Sequence, residues 1–438
     1  MTTTRIDFHA SKTQYLDHLA PIWSAMPADQ RGDFLAGAGS LVSERAALDY
    51  GITTEAPDRG RDRTRTVVVA SYGDLRAIGR RSSVFVEHGA GQTYYQDAPP
   101  HPSSPGGPGR DSVRLFVVPN LTVAARNSRS YHAPNAVVGC PKLDPWHRNP
   151  PTPWTSASGR PPVVALSFRW PCGLAPECRG ALDHYRTALR RVAEAFPGAI
   201  GHAHPNHHAD LHQTFRTAGL EPVARFSEVL DRADIYAVDN SSTMFEFAST
   251  GRPVVVLNAP WYRRNVSHGL RFWDAADVGL GVDDPDDLVD TIRRALTDPP
   301  DVAARRRARV ADVYAHSDGA ATRRAVDAIM AVAESGEETD MGPANFRVHR
   351  KINGVDAVVV VTAAELTGDE RAAFGLDGAR DKARRPPTPA STHPTPDMPA
   401  ANASATRWRA YRLGTGWTVD QLDGLNRDAL RDLPNRRG

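Results

Sequence analysis

Short apolar runs alternate with amphipathic helical patterns through the first 335 residues of the chain. The run at residues 67–70, Val-Val-Val-Ala, is continuous, as expected for a strand that is covered on both faces of a parallel sheet. In the segment 15–23, apolar residues return every three or four positions, which is the period of a helix that buries one face. Strands that alternate with helices in this way predict repeated βαβ units and parallel sheets.

The predicted strands fall into two groups, which a proline-rich segment separates. The first group comprises runs at residues 6–8, 67–70, 84–86, 115–118 and 136–139, and the second comprises runs at 163–167, 199–201, 234–238 and 254–257. Helical patterns occupy residues 15–23 (with Ser11 as a candidate N-cap), 74–78, 179–195, 243–250, 285–296 and 301–334. Residues 142–162 contain many prolines and no apolar period, which is typical of a linker. We therefore predict an α/β protein with two Rossmann-like domains, at residues 1–141 and 163–335.

The sequence after residue 335 has a different character. Residues 336–383 predict a small α/β extension, with a hairpin over 346–362 that turns at Asn353-Gly354 and a short helix from residue 363. Residues 384–405 are rich in proline, threonine, serine and alanine, which predicts a disordered linker. Residues 406–438 predict a short helical tail that is suited to docking a partner.

Charge and composition disfavour several classes of protein. The net charge of +2 gives no support for a nucleic-acid partner. No run approaches the roughly 18 apolar residues of a membrane span, and the first residues lack the apolar core of a signal peptide. The 3 cysteines are an odd number and widely placed, which favours a reducing compartment. We expect a cytoplasmic protein without stable membrane insertion.

The first candidate site is the turn at residues 87–92, Glu-His-Gly-Ala-Gly-Gln, which follows the predicted strand at 84–86. In an open α/β sheet the ligand lies outside the carboxyl ends of the strands. Gly89 and Gly91 would let backbone amides approach a ligand, and His88 would serve as a general base near pH 7. A turn whose glycines only satisfy geometry is the alternative. A dinucleotide site is disfavoured because the third glycine is missing.

The second candidate site is the turn at residues 201–208, which contains histidines at 202, 204, 207 and 208. A zinc site is disfavoured because no cysteine lies nearby and Pro205 interrupts any helical ligand face. We expect one catalytic or phosphate-binding histidine here, with the other histidines in solvent. No metal is predicted.

The third candidate site follows the strand at 234–238 and reads Asp239-Asn240-Ser241-Ser242-Thr243. Thr243 and Glu246 have the spacing of a capping box, so a purely structural cap is the alternative. Free amides and hydroxyls at a helix start bind anions, which predicts a phosphate site. Three polar turns that follow parallel strands are expected on one rim of the molecule.

A fourth polar cluster follows the strand at 254–257 and contains Tyr262, Arg263, Arg264 and His268. Arginine is suited to bidentate contact with phosphate, so we expect Tyr262, Arg263 and Arg264 to contact the donor. A solvated surface loop is the alternative.

Together these turns resemble the CDP-glycerol glycerophosphotransferases and related GT-B glycosyltransferases, including versions from phages of high-GC actinobacteria. The resemblance covers residues 60–300 and rests on three elements. These are the strand-His-Gly turn at 84–89, the His-Pro pair at 204–205, and Asp239-x-Ser241-Ser242 with Gly251-x-Pro253-Val254 downstream. It implies a GT-B fold, in which an N-terminal acceptor domain and a C-terminal nucleotide-donor domain face a cleft.

The resemblance also implies roles for individual residues. His88 would deprotonate the acceptor hydroxyl, and His204 would stabilise the leaving pyrophosphate. The donor phosphates would lie on Gly89, Gly91 and the turn of Asn240, Ser241, Ser242 and Thr243, with Glu246 near the ribose. The loop after residue 257 departs from the family pattern, so the choice between CDP-linked and UDP-linked donors stays open.

The sequence therefore predicts a metal-independent transferase that needs no cofactor beyond its nucleotide-activated donor. It would move a sugar or glycerol-phosphate group to a hydroxyl of a soluble protein or glycan. One alternative is a UDP-N-acetylglucosamine 2-epimerase-like enzyme, which needs carboxylates for proton abstraction, and the three turns offer no convincing set of them. The other is a non-enzymatic phage-particle or scaffold protein that retains the fold.

Overall fold

The computed structural model describes residues 5–57, 65–79, 81–89, 104–170, 176, 179–204, 208–262, 276–334, 345–352, 355–362 and 367. The chain forms two compact units, residues 1–377 and residues 378–438, and all described residues lie in the first. The helix predicted from residue 363, the linker at 384–405 and the tail at 406–438 lie outside the described residues. No helix in the described ranges is both long and apolar enough to cross a bilayer.

The strands, numbered in chain order, are β1 Ile6–His9, β2 Arg31–Leu35, β3 Thr54–Glu55, β4 Val67–Val69, β5 Ser83–Val86, β6 Val113–Val118, β7 Asn135–Val137, β8 Val164–Phe168, β9 Ile200–Ala203, β10 Glu221–Val223, β11 Ile235–Val238, β12 Val254–Leu257, β13 Leu280–Val282, β14 Asn345–Ile352 and β15 Val355–Thr362. The helices are α1 Thr13–Ala25, α2 Leu41–Tyr50, α3 Tyr72–Ile78, α4 Leu121–Ser128, α5 Asp144–Arg148, α6 Leu182–Tyr185, α7 Ala188–Ala195, α8 His208–Ala218, α9 Phe226–Arg232, α10 Thr243–Ala248, α11 Leu288–Leu296, α12 Pro300–Val313 and α13 Ala321–Glu334. Short 3₁₀ turns occupy Pro141–Leu143, Ser156–Ser158 and Pro285–Asp287.

The strands form two sheets, one in each half of the chain. Within the described residues, the first sheet has the order β15-β14-β7-β6-β5-β4-β1-β2-β3 and the second has the order β10-β9-β8-β11-β12-β13. Neighbouring strands are parallel except in the antiparallel pair β14–β15. Counted from its first strand, the second sheet has the 3-2-1-4-5-6 order of a Rossmann fold, and the first contains the same order with additional strands. The predicted two-domain α/β fold is confirmed.

Both sheets are covered on two faces, which explains the continuous apolar runs. In β4, Val67 and Val69 face one apolar cluster, whereas Val68 faces the other. In the second sheet, Val254 and Val256 of β12 belong to one cluster and Val255 belongs to the other. Because side chains alternate between the faces of a strand, both faces need apolar residues when both are buried.

Helix α13, the last helix of the second half, packs against the first sheet. The sequence pattern had assigned it to the second domain, at residues 163–335. Ala325 and Ile329 of α13 are buried in the apolar cluster of the first sheet. Asp144 fixes the start of this helix, because its carboxylate accepts hydrogen bonds from the amides of Ala321 (3.0 Å) and Thr322 (2.7 Å). The segment that we predicted as a linker thus begins with a 3₁₀ turn and α5, which hold the returning helix.

Three predicted local features differ in the structure. The helical pattern at 301–334 is divided into α12 and α13 near Gly319, whose φ of +73° is left-handed. The pattern at 179–195 forms two short helices, α6 and α7. Ser11 does not cap α1, because Lys12 occupies the N-cap position, where it makes no side-chain bond. The backbone amide of Ser11 donates a hydrogen bond to the carboxylate of Asp74 (3.4 Å).

The two predicted C-terminal strands pair with each other and extend the first sheet, whereas the predicted turn at Asn353-Gly354 lies outside the described residues. β14 and β15 pair over Asn345–Ile352 and Val355–Thr362, and β14 adds in parallel to β7 through Phe346 and Arg347. The edge of β7 receives them because it ends the first sheet, so its backbone groups need a partner.

Candidate active site

A cavity of about 390 Å³ lies between the carboxyl ends of the two sheets, and both halves of the chain line it. Its size is within the range of about 300–1,000 Å³ that is usual for ligand pockets. The predicted site residues that line it are His88, Gly89, His204, Ser241, Ser242, Thr243 and Glu246. The structure therefore brings the three predicted turns together at one site.

Two further predicted residues do not line the cavity, and three others lie outside the described residues. Asn240 and Tyr262 are 2% and 6% exposed, and neither is among the described residues that line the cavity. Tyr262 belongs to the apolar core of the second sheet, so it is not placed for the predicted donor contact. Gly91, Arg263 and Arg264 lie outside the described residues.

His88 is half-buried at the end of β5, with the ring of Tyr15 edge-on to it at 4.9 Å between centroids. Burial is the main reason that the pKa of His88 lies below its usual value. A hydrogen bond with the backbone of Ala70 and the charge of Asp74 oppose this lowering of the pKa, and the charge of Lys142 adds to it. The imidazole is therefore neutral at pH 7 and can accept a proton.

A second histidine, His18 of α1, lies behind the turn that carries His88. Its Nε2 atom accepts a hydrogen bond from the amide of Gly89 at 3.5 Å, and its Nδ1 atom is 4.0 Å from Sγ of Cys140. Burial, with the nearby charges of Lys142 and His88, holds the pKa of His18 well below its usual value. A neutral ring with its proton on Nδ1 fits these contacts, so His18 positions the backbone at Gly89.

The turn before α10 is held together by its own hydroxyl groups. The Oγ atom of Ser241 is 2.9 Å from Oγ1 of Thr243, which is also 2.9 Å from the hydroxyl of Tyr236. Ser242 occupies the N-cap position in a helical conformation, and its side chain makes no cap bond. The hydroxyl of Ser242 is thus left to face the cavity, as a ligand contact would require.

The capping box predicted for Thr243 and Glu246 does not form. Oε2 of Glu246 instead accepts a hydrogen bond from Nζ of Lys142 at 2.6 Å, and the Glu246 side chain is 2% exposed. Burial alone would lower the pKa of Lys142, but the carboxylates of Glu246 and Asp17 raise it above its usual value. Burial removes both charges from water, and their mutual attraction offsets part of that desolvation cost.

Asp239, the first residue of the same turn, is held in place by backbone hydrogen bonds. Its carboxylate accepts hydrogen bonds from the amides of Arg169 (2.8 Å) and Ala181 (2.9 Å). Burial raises the pKa of Asp239 to about 6, although these bonds oppose the rise. The residue is fully buried, so it holds the loop after β8 against the loop after β11 and does not reach the cavity.

The histidines of the second turn have different surroundings. His204 is half-buried and lines the cavity, with its ring centroid 6.1 Å from that of Trp170. His202 is buried, and its Nδ1 atom is 3.3 Å from Oγ of Ser167. No group of three or more His, Cys, Asp or Glu in the described parts of the chain is arranged to hold a metal ion.

Several lining residues escaped the sequence analysis. Glu87 lies within the predicted turn at 87–92, and Arg169 lies two residues after the predicted strand at 163–167. A search for polar side chains that follow strands could have found both. Lys142 lies in the segment that we predicted as a linker, and Arg45 and Asp17 lie on helices without a distinguishing pattern. These three residues reach the site only through the tertiary fold.

Residues 200–331 match the family model of CDP-glycerol:poly(glycerophosphate) glycerophosphotransferases. The matched range contains His204 and the turn at 241–243, whereas His88 precedes it. No curated protein sequence matches the chain. The match agrees with the resemblance that the turns had shown and disfavours a non-enzymatic scaffold protein.

Solved structures share the fold of both halves. The chain is similar to the wall teichoic acid polymerase TagF in a form soaked with CDPG, with a TM-score of 0.53 and 13% identity over 77% of this chain and 90% of that one. It is similar to S. aureus MnaA in a structure with UDP, with a TM-score of 0.50 and 14% identity over 78% of this chain and 100% of that one. A protein proposed to be a UDP-N-acetylglucosamine 2-epimerase from Listeria monocytogenes has a TM-score of 0.50 and 14% identity over 76% of this chain and 98% of that one. At these identities the likeness establishes the GT-B fold.

Proposed function

We propose that this chain, which has a GT-B fold and whose residues 200–331 match the glycerophosphotransferase family model, moves a sugar or glycerol-phosphate group from a nucleotide-activated donor to an acceptor hydroxyl. One observation carries this proposal. His88 of the first half and the hydroxyl turn at 241–243 of the second line the same cavity. A transfer between two substrates needs both to be held side by side, and a cleft shared by two halves provides this.

On the acceptor side, His88 takes the proton of the attacking hydroxyl. Its lowered pKa keeps the ring neutral at pH 7, and Asp74 stabilises the positive charge that the ring gains. The hydroxyl oxygen then forms a bond to the glycerol-phosphate phosphorus, and a nucleoside monophosphate leaves. With a sugar donor the new bond is to carbon, and a nucleoside diphosphate leaves. General base catalysis of this kind typically contributes about 10²–10⁴ to the rate.

On the donor side, the leaving phosphate lies against the turn at 241–243. The hydroxyl of Ser242 donates to a phosphate oxygen, and the cavity-lining side chain of Arg169 supplies positive charge. His204 stabilises the charge that builds on the leaving group. Because protein cations and hydroxyl groups bind and neutralise the phosphates, we propose that turnover needs no divalent metal. Turnover in the presence of EDTA checks this directly.

The acceptor and the compartment are part of the same proposal. We propose that the enzyme acts in the cytoplasm on a soluble protein or glycan, with CDP-linked or UDP-linked donors as candidates. The small number of cysteines supports a reducing compartment. Product analysis identifies the donor class, since CMP release marks glycerol-phosphate transfer and UDP release marks sugar transfer.

The experiment that tests the donor site is calorimetry with CDP, UDP, GDP and ADP on wild type, Ser241→Ala and Ser242→Ala. Loss of a hydrogen bond to a charged phosphate costs about 1.5–3 kcal/mol, or roughly ten- to a hundredfold in affinity. We expect the larger loss for Ser242→Ala, because Ser241 already bonds to Thr243 within the protein. Ser158→Ala, at an exposed position, is the matched control. Equal affinity in all four proteins would remove this turn from the donor site.

One observation favours 2-epimerase-like chemistry as a second candidate. The carboxyl groups of Asp17, Glu87 and Glu246 line the cavity, although the sequence had placed no convincing set there. Two of them are engaged, because Asp17 pairs with Arg45 and Glu246 pairs with Lys142. Incubation with UDP-N-acetylglucosamine separates the candidates, since an epimerase yields UDP-N-acetylmannosamine and a transferase yields free nucleotide.

A further inference from the structure

Glu87, which directly precedes His88, is a buried carboxyl group with one unpartnered oxygen. It is 9% exposed and lines the cavity, and its Oε2 atom has no hydrogen-bond partner. A buried carboxyl oxygen that makes no hydrogen bond costs stability. Such a group in a cavity wall is explained when a ligand supplies the missing bond.

The surroundings of Glu87 favour a neutral, hydroxyl-bearing ligand. Tyr72 and Phe85 line the same part of the wall, and the guanidinium of Arg110 lies 5.6 Å and 5.0 Å from their ring centroids. Burial raises the pKa of Glu87 to about 7, against the opposing charges of Arg110 and Arg126. Near neutral pH the carboxyl group can therefore donate or accept a hydrogen bond, and a hydroxyl group matches either form.

We infer that Glu87 binds a second hydroxyl of the acceptor, next to the hydroxyl that His88 deprotonates. The acceptor end is therefore a neutral polyol or sugar. A simple alcohol would leave the buried carboxyl group unpartnered, and a phosphate group at this position would be repelled by its ionised form. The inference rests on the proposed transferase function and names its acceptor class.

Glu87 and His88 divide the work on the acceptor. His88 acts on the reacting oxygen, whereas Glu87 holds the neighbouring oxygen and so fixes which hydroxyl attacks. A site that is built to bond a substrate hydroxyl discriminates strongly against analogues that lack it. Glu87 is therefore a specificity-determining residue, and its loss is expected to act on the KM of the acceptor.

The test compares three acceptors, with the donor that wild type cleaves. These are glycerol, propan-1-ol, which lacks the second hydroxyl, and glycerol 3-phosphate. Wild type should use glycerol best. Glu87→Ala should raise the KM for glycerol about ten- to a hundredfold while the KM for the donor stays within about twofold. Glu87→Gln, whose amide offers N–H donors and a carbonyl acceptor, should restore the KM for glycerol to within about threefold of wild type.

A matched control and the melting temperature exclude a merely structural effect. Glu194→Ala removes an exposed carboxylate that pairs with Arg190 in its helix, and it should leave the KM for glycerol unchanged. Removal of an unpartnered buried carboxyl group should leave the melting temperature of Glu87→Ala at or above that of wild type.

Four results would overturn the inference. They are an unchanged KM for glycerol in Glu87→Ala, an equal rise in the KM for the donor, no rescue by Glu87→Gln, and equal use of propan-1-ol and glycerol by wild type. Failure of the proposed function has a different signature. Wild type would then release no nucleotide from any CDP-linked or UDP-linked donor, with or without acceptor.

Discussion

A Cβ atom placed on Gly89 would lie 3.1 Å from the Oγ atom of Ser242, although the two residues belong to different halves of the chain. Gly89 has a φ of +69°, in the left-handed region that glycine adopts without strain. The turn at 87–89 and the turn at 241–243 therefore meet so closely that a side chain at residue 89 would require Ser242 to shift. This contact explains why the residue after His88 is a glycine.

Replacement of Gly89 should separate the two turns. We expect Gly89→Ala to lower turnover by tenfold or more, because the new methyl group must displace Ser242 from the donor phosphates and misplacement by about 1 Å can cost 10²-fold. Gly39→Ala is the matched control, since Gly39 has a φ of +64° and nothing lies within 4 Å of the added Cβ. Steady-state rates of both variants measure the difference. Equal losses in both would mean that backbone strain, and not the contact, is responsible.

The ion pair between Lys142 and Glu246 should stabilise the fold by linking the segment after β7 to α10. Lys142→Met or Glu246→Leu alone leaves one buried charge unpaired, which typically costs about 3–5 kcal/mol of unfolding free energy. The double variant should recover much of this loss, as urea denaturation of all four proteins would show. The exposed pair Arg190–Glu194 is the control, with an expected coupling of about 0.3–0.5 kcal/mol. Additive losses in the buried pair would contradict the assignment.

The carboxyl group of Glu87 should give the protein a measurable pH dependence. Its pKa is about 7 in the folded chain, against an ordinary value of 4.5. Between these values the unfolded chain has released the proton that the folded chain still binds, so the contribution of Glu87 to stability falls as pH rises. Relative to Glu87→Gln, wild type should lose stability from about pH 4.5 to pH 7. A difference in unfolding free energy that is constant over this window would show that the group titrates normally.

Residues beyond 377 should be dispensable for catalysis. A chain that ends at Asp377 keeps the first compact unit, so we expect wild-type donor turnover and melting temperature. A chain that ends at Glu334 loses the hairpin β14–β15 and leaves the edge of β7 unpaired, so its melting temperature should fall. Loss of turnover at an unchanged melting temperature in the longer chain would place the tail in the active site. The docking role of the tail stays a prediction.

The sequence predicted that the three turns lie together, because topology determines where such turns fall. The turns that carry His88, His204 and Ser241 each follow a parallel strand, and the carboxyl ends of such strands share one edge of their sheet. Residues 31–50 were missed for a local reason. Strand β2 reads Arg-Gly-Asp-Phe-Leu, which contains no continuous apolar run, because two of its positions remain partly exposed near the edge of the sheet.

Hydrogen bonds and ion pairs between residues that are far apart in the sequence could not be predicted. Glu246 has the spacing of a helix cap, but its partner Lys142 lies 104 positions away in a proline-rich segment. His18 lies in an amphipathic helix, and no sequence pattern distinguishes it there. It nevertheless accepts a hydrogen bond from the backbone amide of Gly89. Periodicity also showed that α13 has an apolar face, but only the tertiary structure shows that the first sheet covers it.

The division of labour between His88 and His204 is the central claim, and one paired measurement tests it most directly. Nucleotide release and nucleotide affinity should be measured on His88→Ala, on His204→Ala and on His132→Ala, an exposed control. We expect His88→Ala to reduce turnover by about 10²–10⁴ with nucleotide affinity within about twofold of wild type. His204→Ala should weaken both turnover and affinity, and His132→Ala should change neither. Unchanged turnover in His88→Ala, or an equal loss of nucleotide affinity in His88→Ala and His204→Ala, would contradict the account.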